Sequence, residues 1–552
     1  MTRLARPIEA LKDRYDIVVV GSGYGGGVAA SRLARAGKKV AVLERGREFV
    51  TGEFPARFPD LKGEMQLHGR KGRTGPATAL YDVRLGDDMH VVVGCGLGGG
   101  SLVNAGVALR PDRRVFADEA WPGQIRQDGT LDQGYARAEA WLRPAADPEA
   151  ARLAKYKALD GAGSSMGHTT IAPRVAVNFT GGTSAAGILQ PACTRCGDCC
   201  GGCNVGAKNT VALTYLPDAV RHGAEVFTHM KVRDIARRAD GRWSLHVERL
   251  DAAAKGETRN ITLTADIVIL AAGTLGSTEI LLRSAAKGLP VSDRLGHRFS
   301  ANGDIIAFGW GAKNAINAVG IGHPAKIEGA EIGAAVSGQI EIRDGDDLEC
   351  ELTIQEGVLP SSVAPALPLM FIPNGRLLGA LQSLISGVYK GPFAHLQTFF
   401  AVSHDDAAGV FRLDDDRLSL SWPGARDAAV YKRLDEKLAA IVAACGGSYV
   451  KNPLAGTVMG HQPATAHPLG GCGMGNERGD GVVNHKGQVF DASSGAGSNA
   501  VHSGLYVIDG AVIPRSLGCN PLFTITALAE RAMIHMAADL GLKFDIEAMQ
   551  PV

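Results

Sequence analysis

The chain has 552 residues, and its 58 Lys and Arg balance 57 Asp and Glu to a net charge of +1. This balance argues against a nucleic-acid partner or a polybasic membrane anchor. The 72 glycines follow no three-residue period, which excludes a collagen-like chain and predicts many turns and close backbone contacts.

No apolar signal-peptide core precedes the first predicted strand. An uncharged run at 357–374 contains four prolines, which would break a membrane-spanning helix. Five of the ten cysteines lie within residues 193–203, a distribution unlike that of a disulfide framework. We therefore predict a cytoplasmic protein without a transmembrane segment.

The first predicted elements form a strand–turn–helix–strand unit. A β-branched run at 17–21 leads into Gly21, Gly23 and Gly26, a G-x-G-x-x-G pattern, and a helix follows over 28–37. Such glycines permit a tight turn, a close approach of a pyrophosphate, and helix–strand packing. The second strand ends at Glu44, which could accept hydrogen bonds from ribose hydroxyls. The unit predicts dinucleotide binding but does not separate NAD from FAD.

Two further segments repeat the combination of a strand and a glycine turn. One covers 91–106 and ends at Asn104, and the other covers 265–284 with Ala272 and Gly273 at its turn. Three glycine-lined turns exceed what one compact nicotinamide domain needs, whereas an extended FAD molecule could use all of them. The alternative for residues 94–100 is a flexible loop.

Residues 191–210 hold a cysteine-rich loop. Cys193, Cys196, Cys199 and Cys203 have the C-x2-C-x2-C-x3-C spacing of a bacterial ferredoxin run, although Asn204 stands where such runs have proline. Three interpretations stay open: an iron–sulfur cluster, a tetrahedral zinc site, and free or paired thiols in a structural loop.

Residues 301–455 lack glycine-rich nucleotide turns. Strands are predicted within 330–342, 348–357 and 409–422, and a helix is predicted over 435–447. The apolar stretch 367–389 is either an ordinary core helix and loop or a lid over a bulky, lipid-like alcohol, resting on a membrane surface.

The C-terminal part contains two candidate catalytic residues. His467 lies in a proline-and-glycine turn, and histidine titrates in the range needed to accept a hydroxyl proton. Asn520 precedes Pro521 and a long predicted helix, so its alternative role is an ordinary helix cap. Asp509 and Gly510 mark a further turn between them.

These segments together resemble a glucose–methanol–choline (GMC) oxidoreductase, closest to the cholesterol-oxidase branch. The matching motifs are GSGYGGG at 21–27, GCGLGGGSLVNAG at 94–106, AAGTLGS at 271–277, HPLGGC at 467–472 and DGAVIPRSLGCNPLFTITALAER at 509–531. The resemblance implies an α/β (α+β overall) fold, in which a Rossmann-like FAD domain is interleaved with a mixed-sheet substrate domain. The expected FAD-domain segments are 1–110, 204–300 and 456–552, and the expected substrate-domain segments are 111–203 and 301–455.

The resemblance also implies roles for particular residues. His467 would take the hydroxyl proton, Asn520 would orient the same oxygen, and Glu356 would move a proton during double-bond isomerisation, with a solvated strand-end glutamate as its alternative. The implied cofactor-binding residues are Gly21, Gly23, Tyr24, Gly26, Glu44, Gly94, Gly99, Gly100, Ser101, Asn104, Ala272, Gly273, Asp509, Gly510 and Asn520.

The predicted function is FAD-dependent oxidation of an alcohol, favouring a sterol- or terpenoid-like one, with oxygen or an electron carrier as the acceptor. One alternative is an alcohol or sugar dehydrogenase that passes electrons through an iron–sulfur cluster. A second is a flavin-dependent lyase or decarboxylase, because membership of a superfamily does not determine the chemistry.

Overall fold

The computed structural model describes residues 2–70, 72–251, 260–343, 345–371, 377–451, 462–494 and 498–545. The strands, in chain order, are β1 (Arg14–Val20), β2 (Val40–Leu43), β3 (Met65–Gly69), β4 (Gly72–Thr74), β5 (Tyr81–Leu85), β6 (His90–Gly94), β7 (Thr170–Ile171), β8 (Gly182–Thr183), β9 (Leu189–Gln190), β10 (Glu225–Phe227), β11 (Met230–Arg237), β12 (Trp243–Arg249), β13 (Asn260–Leu270), β14 (Ile305–Trp310), β15 (Gln339–Ile342), β16 (Leu352–Gly357), β17 (Gln397–Val402), β18 (Val410–Asp414), β19 (Arg417–Ser421), β20 (Ser448–Lys451), β21 (Ala464–Thr465), β22 (Gln488–Phe490) and β23 (Val501–Val507). The α-helices are α1 (Tyr24–Arg35), α2 (Phe58–Gly63), α3 (Gln124–Gln127), α4 (Thr130–Leu142), α5 (Ala154–Ser165), α6 (Tyr215–Arg221), α7 (Gly273–Ala286), α8 (Leu367–Phe371), α9 (Leu377–Ser386), α10 (Ala429–Ala444) and α11 (Leu522–Leu540).

The largest sheet carries the predicted nucleotide turn. Its strand order is β10-β2-β1-β13-β12-β11, and β23 pairs with the carboxyl half of β13. The strands β2, β1, β13 and β23 are parallel, with Val20 opposite Leu270 and Leu270 opposite Val507. The carboxyl ends of β1, β13 and β23 therefore lie side by side, so that three segments distant in sequence meet at one edge. Ligands bind at this edge in open α/β sheets.

Helix α1 packs against β1, α6 and α11. Its Arg32 forms a fully buried ion pair with Glu530 of α11, 2.5 Å between Nη2 and Oε1. Such a pair has to form during folding, because either charge alone would be buried without a partner. The N-terminal glycine unit and the C-terminal helix thus share one core.

A second sheet has the order β20-β14-β17-β16-β15-β7, and a third has the order β21-β6-β5-β3-β4. The pairings within the second sheet are antiparallel. Its strands come mainly from residues 301–455, the segment predicted for substrate binding. The exact domain boundaries stay a prediction.

The secondary structure of this region differs in detail from the expectation. Only Gln339–Ile342 of the segment 330–342 forms a strand, and the helix predicted over 435–447 spans Ala429–Ala444. The apolar stretch 367–389 forms α8 and α9, with residues 372–376 outside the described part. No helix in the described ranges combines the length and apolar character needed to cross a bilayer.

Candidate active site

The first glycine turn has the geometry that its spacing predicts. Gly21 has φ +96°, and a Cβ there would lie 2.3 Å from the Ala271 carbonyl oxygen. A Cβ at Gly26 would lie 2.1 Å from the Gly21 oxygen, so both glycines permit backbone packing. At Gly23, which immediately precedes α1, a Cβ would meet no protein atom within 4 Å. Gly23 therefore borders open space at a helix N-terminus, where an anion is favoured.

The second glycine loop packs directly on the first. A Cβ at Gly99 would lie 2.8 Å from the Gly23 Cα, whereas one at Gly100 would meet nothing within 4 Å. Gly94 ends β6 and packs on Val103. The Ser101 hydroxyl donates to the Gly98 carbonyl at 2.7 Å. Residues 94–101 therefore form a hydrogen-bonded turn with 3-10 geometry at Gly99–Leu102, not a flexible loop.

Asn104 and Tyr24 lie next to the two turns. The Asn104 Nδ2 atom donates to the Tyr24 hydroxyl at 2.8 Å. Its Oδ1 atom is buried and has no hydrogen-bond partner among the described residues. A buried acceptor without a donor is costly, so this atom is suited to a ligand's N–H or O–H group.

Glu44 lies at the end of β2, as its predicted contact with a ribose requires. Its carboxylate is buried and accepts hydrogen bonds from the Ser22 hydroxyl at 2.5 Å and from the Gly46 amide at 2.7 Å. Burial raises the pKa of this carboxyl group. The Ser22 hydroxyl in turn accepts from the Gly98 amide at 3.0 Å, a link between the two turns that the motif does not reveal.

Asp509 joins the third turn to the C-terminal segment. It accepts hydrogen bonds from the Gly273 amide at 2.8 Å, the Ser277 hydroxyl at 2.5 Å and the Ala511 amide at 2.9 Å. Burial raises the pKa of Asp509 to about 6. Ala272 is the N-cap of α7, and Gly510 begins a 3-10 turn. Asp509 thus aligns the start of α7 beside the nucleotide turn.

These features fit an extended flavin nucleotide. Gly23, Gly100 and Gly273 leave open the positions where side chains would stand. The unpartnered Asn104 oxygen adds a polar contact at the same place. The cradle is built from three glycine turns that are far apart in sequence, as an elongated ligand requires.

His467 is held against a carboxylate that the motif analysis missed. Its Nδ1 atom is buried without a hydrogen bond but lies 3.3 Å from Asp304 Oδ2, a distance at which a protonated ring would form an ion pair. The Asp304 carboxylate accepts from the Ala466 amide at 2.7 Å, and the His467 amide donates to the Thr465 hydroxyl at 2.9 Å. The side chain of His467 is 18% exposed, so the other ring nitrogen is available to a ligand.

The glycines after His467 serve protein packing. A Cβ at Gly470 would lie 1.9 Å from the Arg298 carbonyl oxygen, and one at Gly471 would lie 2.4 Å from the Thr278 hydroxyl. They let the His467 segment run beside Gly510 and Ala511, whose carbonyls accept hydrogen bonds from the Gly470 and Cys472 amides.

Asn520 does not cap the helix that follows it. Pro521 is the N-cap of α11, and no side chain caps this helix. The Asn520 Oδ1 atom instead accepts a hydrogen bond of 2.7 Å from Gln355 Nε2, on β16 of the second sheet. The alternative of an ordinary helix cap is thus excluded, because a tertiary contact determines this side chain.

Asn302 links the two candidate catalytic residues. It has φ +58° and donates from Nδ2 to the Cys519 carbonyl at 2.8 Å. Its Oδ1 atom accepts from the Leu517 amide at 2.8 Å. Asp304, two residues after Asn302, contacts His467. One short segment therefore positions both candidate catalytic residues. The dipeptide Asn302-Gly303 could have predicted this turn from the sequence, since Asn tolerates the left-handed backbone conformation.

Glu356 lies on the opposite face of β16 from Gln355, since side chains alternate along a strand. It is fully buried, which excludes a solvated strand-end glutamate. Lys155 Nζ lies 2.8 Å from its Oε2 atom, and the Ser337 and Gly338 amides each donate to Oε1 at 2.6 Å. Burial raises the pKa of Glu356. Within the described residues, Glu356 forms no hydrogen bond or ion pair with His467 or Asn520.

The cysteine-rich loop is folded against the second glycine loop. The Lys208 ammonium group is buried and donates to the carbonyls of Cys199 at 2.8 Å, and of Leu102 and Asn104 at 2.9 Å. Burial lowers the pKa of Lys208. The Cys193 and Cys199 sulfurs each accept a backbone N–H, from Arg195 and Ala335, at 3.4 Å.

Among the three interpretations of the cysteine-rich loop, the tetrahedral zinc site is not preformed in the described residues. In the described part of the chain, three or more ligand atoms within 4.8 Å of one another occur only at Asp128, His485 and His535. Zinc–sulfur bonds of about 2.3 Å would place tetrahedral thiolates about 4 Å apart. All ten cysteines are free thiols. At Asp128, the Arg531 guanidinium already donates to the carboxylate at 2.5 Å, so an arginine side chain takes the place that a metal ion would need.

Comparisons with known proteins agree with this arrangement. Cholesterol oxidases of Mycobacterium tuberculosis (strain ATCC 25618 / H37Rv) and Acinetobacter baumannii are each 28% identical to 95% of this chain, which covers 91% and 94% of them. A long-chain-alcohol oxidase of Arabidopsis thaliana is 23% identical over 94% of this chain and 66% of its own length.

Two solved structures share the fold. A fungal aryl-alcohol oxidase aligns with a TM-score of 0.61 at 16% identity, covering 96% of this chain and all of the other. A pyridoxine 4-oxidase from Mesorbium loti aligns with a TM-score of 0.58 at 18% identity, covering 95% of this chain and 99% of the other.

The GMC oxidoreductase N-terminal domain matches residues 15–300 and the C-terminal domain matches residues 453–529. The first match alone spans more than half of the chain and includes all three glycine turns. The mixed α/β fold, the assembled cradle and these matches lead to one conclusion. The chain belongs to the GMC oxidoreductase family, whose members are FAD-binding flavoproteins that act on CH–OH groups.

Proposed function

We propose that this protein oxidises a bulky, apolar alcohol to a carbonyl, with FAD as its cofactor and oxygen as the final electron acceptor. The observation that carries the proposal is the placement of His467 and Asn520. One segment, residues 300–304, holds the backbone around both of them, beside the glycine cradle. The cholesterol-oxidase and alcohol-oxidase relatives support the same chemistry.

The chain's own residues would manage the hydroxyl group. The proximity of Asp304 to His467 Nδ1 leaves Nε2 to accept the hydroxyl proton. The Asn520 Oδ1 atom is occupied by Gln355, which leaves the Nδ2 atom to donate to the alcohol oxygen. Proton removal matters because loss of hydride alone would leave positive charge on the carbinol carbon. A positioned base of this kind contributes about 10²–10⁴-fold in rate.

FAD, when bound, supplies the hydride acceptor. The residues proposed to hold it are those of the three glycine turns, Glu44, Asn104, Tyr24 and Asp509. No proton-transfer role is proposed for Glu356, because its carboxylate is engaged with Lys155 and faces away from Asn520.

The apolar nature of the substrate is supported by the region over 367–389. Leu369, Leu378 and Leu381 of α8 and α9 are 57%, 84% and 46% exposed, so this region presents apolar surface to solvent. Such a patch suits a lipid surface from which a sterol-like alcohol could be drawn. Wild type should sediment with phosphatidylcholine vesicles, and Leu378→Ser/Leu381→Ser should not. Equal sedimentation of the two would contradict membrane contact.

An anaerobic alcohol screen tests the proposed function. Cholesterol, geraniol, 1-dodecanol and D-glucose would be added in turn to the holoenzyme while the flavin absorbance is followed. Bleaching by cholesterol or geraniol supports the proposal, and bleaching by glucose alone would overturn the apolar substrate. An enzyme that stays yellow with every alcohol would favour the lyase alternative.

The cysteine-rich loop favours the oxidase over a cluster-dependent dehydrogenase. The comparisons give an iron–sulfur cluster no support, and the Lys208 ammonium group occupies the junction between this loop and the cradle. Absorbance of purified protein should show flavin bands alone. Broad additional absorption that disappears with dithionite would restore the cluster interpretation.

A further inference from the structure

A row of hydrogen-bonded amides runs from the surface of the second sheet to Asn520. Gln339 and Gln355 are directly opposite each other on β15 and β16, so their side chains share one face. Glu341 lies two residues along β15 and therefore projects from the same face. Its side chain is 38% exposed, whereas Gln339, Gln355 and Asn520 are buried.

The contacts within this row have a direction. Gln339 Nε2 donates to Glu341 Oε1 at 2.8 Å. Gln355 Nε2 donates both to Gln339 Oε1 at 3.2 Å and to Asn520 Oδ1 at 2.7 Å. A primary amide has two N–H donors, so both of the Gln355 donors are used.

The carboxylate at the outer end determines every orientation in the row. An ionised carboxylate can only accept hydrogen bonds, so Gln339 must turn its NH₂ group toward Glu341. Its carbonyl oxygen then faces Gln355, which must turn its own NH₂ group toward it. The only group left for Asn520 to offer Gln355 is its oxygen. Asn520 must therefore direct its NH₂ group away from the sheet.

We propose that Glu341, Gln339 and Gln355 are positioning residues that orient the Asn520 carboxamide with its N–H donors toward the substrate oxygen. Within the described residues the Asn520 side chain forms its hydrogen bond through Oδ1, which leaves Nδ2 as a donor for a ligand. This inference rests on the proposed function of Asn520. It adds that a surface carboxylate, three side chains away, determines which atom the alcohol meets.

The most direct test replaces the hydrogen-bond acceptor at the outer end of the row, Glu341, with a donor. Lysine can only donate, so Glu341→Lys would turn Gln339, Gln355 and Asn520 in sequence and present the Asn520 oxygen to the alcohol. The rate of flavin reduction should fall by about 10²-fold, the typical effect of losing one donor to a developing oxyanion. The FAD content should stay unchanged, and the midpoint of thermal unfolding should change little, since the ion pair that Glu341 forms with Arg343 at 3.4 Å is solvent-exposed.

Glu341→Gln is the matched control. A neutral amide at position 341 can either accept from Gln339 or donate to it. The row of amides would therefore be inverted in about half of the molecules. The rate should therefore remain within about two-fold of wild type. The assay is anaerobic flavin reduction by cholesterol, or by the fastest alcohol of the panel above. The loss in Glu341→Lys should appear in kcat with KM little changed, because the donor acts on charge that develops in the transition state. Equal rates for Glu341→Lys and Glu341→Gln would overturn the proposal.

Two buried variants test the direction without using activity. Asn520→Asp keeps an acceptor toward Gln355, whereas Gln355→Glu places a carboxylate against the oxygens of both Gln339 and Asn520. The Asn520→Asp holoenzyme should therefore unfold at a higher temperature than the Gln355→Glu holoenzyme. The reverse order would show that the amides point the other way. This comparison stands even if no alcohol reduces the flavin, in which case the proposed function alone would fail.

Discussion

The imidazole of His467 lies against the carboxylate of Asp304, with 3.3 Å between Nδ1 and Oδ2. The Asp304 carboxylate is only 4% exposed, and it also accepts the Ala466 amide next to the histidine. The same carboxylate thus holds the backbone next to the histidine and lies beside its ring. A carboxylate in this position favours the tautomer with the proton on Nδ1, which leaves Nε2 to accept the hydroxyl proton.

Replacing Asp304 by asparagine should lower the rate of flavin reduction by about 10- to 100-fold, a part of the contribution of the base. Stopped-flow absorbance with the best alcohol of the panel measures this rate. Adding Asp304→Asn to His467→Ala should produce little further loss, because the carboxylate acts through the ring. Fully multiplicative losses would contradict the dependence of one residue on the other.

Replacing His467 by alanine or glutamine should leave FAD bound while turnover falls by about 10²–10⁴-fold. In the described structure the ring forms no hydrogen bond or ion pair with the three glycine turns, so the visible spectrum and the FAD-to-protein ratio should match wild type. Turnover equal to wild type in either variant would end the assignment of His467 as the base.

Replacing Lys208 by methionine should destabilise the protein by roughly 3 kcal/mol, because two buried carbonyls and one partly buried carbonyl would each lose a donor at about 1–3 kcal/mol. One of them belongs to Asn104, so FAD should also be retained less well on gel filtration. Denaturant unfolding followed by fluorescence gives the free energy. Lys432→Met, at an exposed position of α10, is the control and should change neither quantity.

Stability should decrease at acidic pH through His404, which is 2% exposed beneath the turn that leads to Asn520. Burial and the Arg515 charge lower the pKa of His404 to about 4 from 6.5. The unfolded chain therefore binds a proton that the folded chain excludes. The resulting stabilisation is complete above pH 6.5 and is lost as the pH falls to about 4, amounting to about 3 kcal/mol.

The measurement for His404 is the unfolding free energy at several pH values between 7.5 and 4.5. His404→Gln should lose less stability over this range than wild type, whereas the exposed His323→Gln should behave as wild type does. Parallel curves for wild type and His404→Gln would show that this imidazole does not titrate on unfolding.

The amino-acid sequence by itself determined the strand–glycine–helix units at Gly21 and Gly273 and the strand–glycine turn at Gly94, and hence the family. These units are local: a β-branched strand, a glycine that adopts positive φ and a following helix are encoded within about thirty residues. The motifs around His467 and Asn520 were recognisable for the same reason. The contacts that these two residues make could not be predicted from the motifs.

Only the tertiary structure brought Asp304 to His467 and Gln355 to Asn520. It also placed Glu356 on the face of β16 that meets Lys155, and the Lys208 ammonium group among three carbonyls. A one-residue difference along a strand exchanges its two faces, so Gln355 and Glu356 could not be told apart by spacing. Each of these contacts joins segments of different sheets or loops. Their partners were chosen by the packing of distant chain segments, and local patterns carry no information on such pairings.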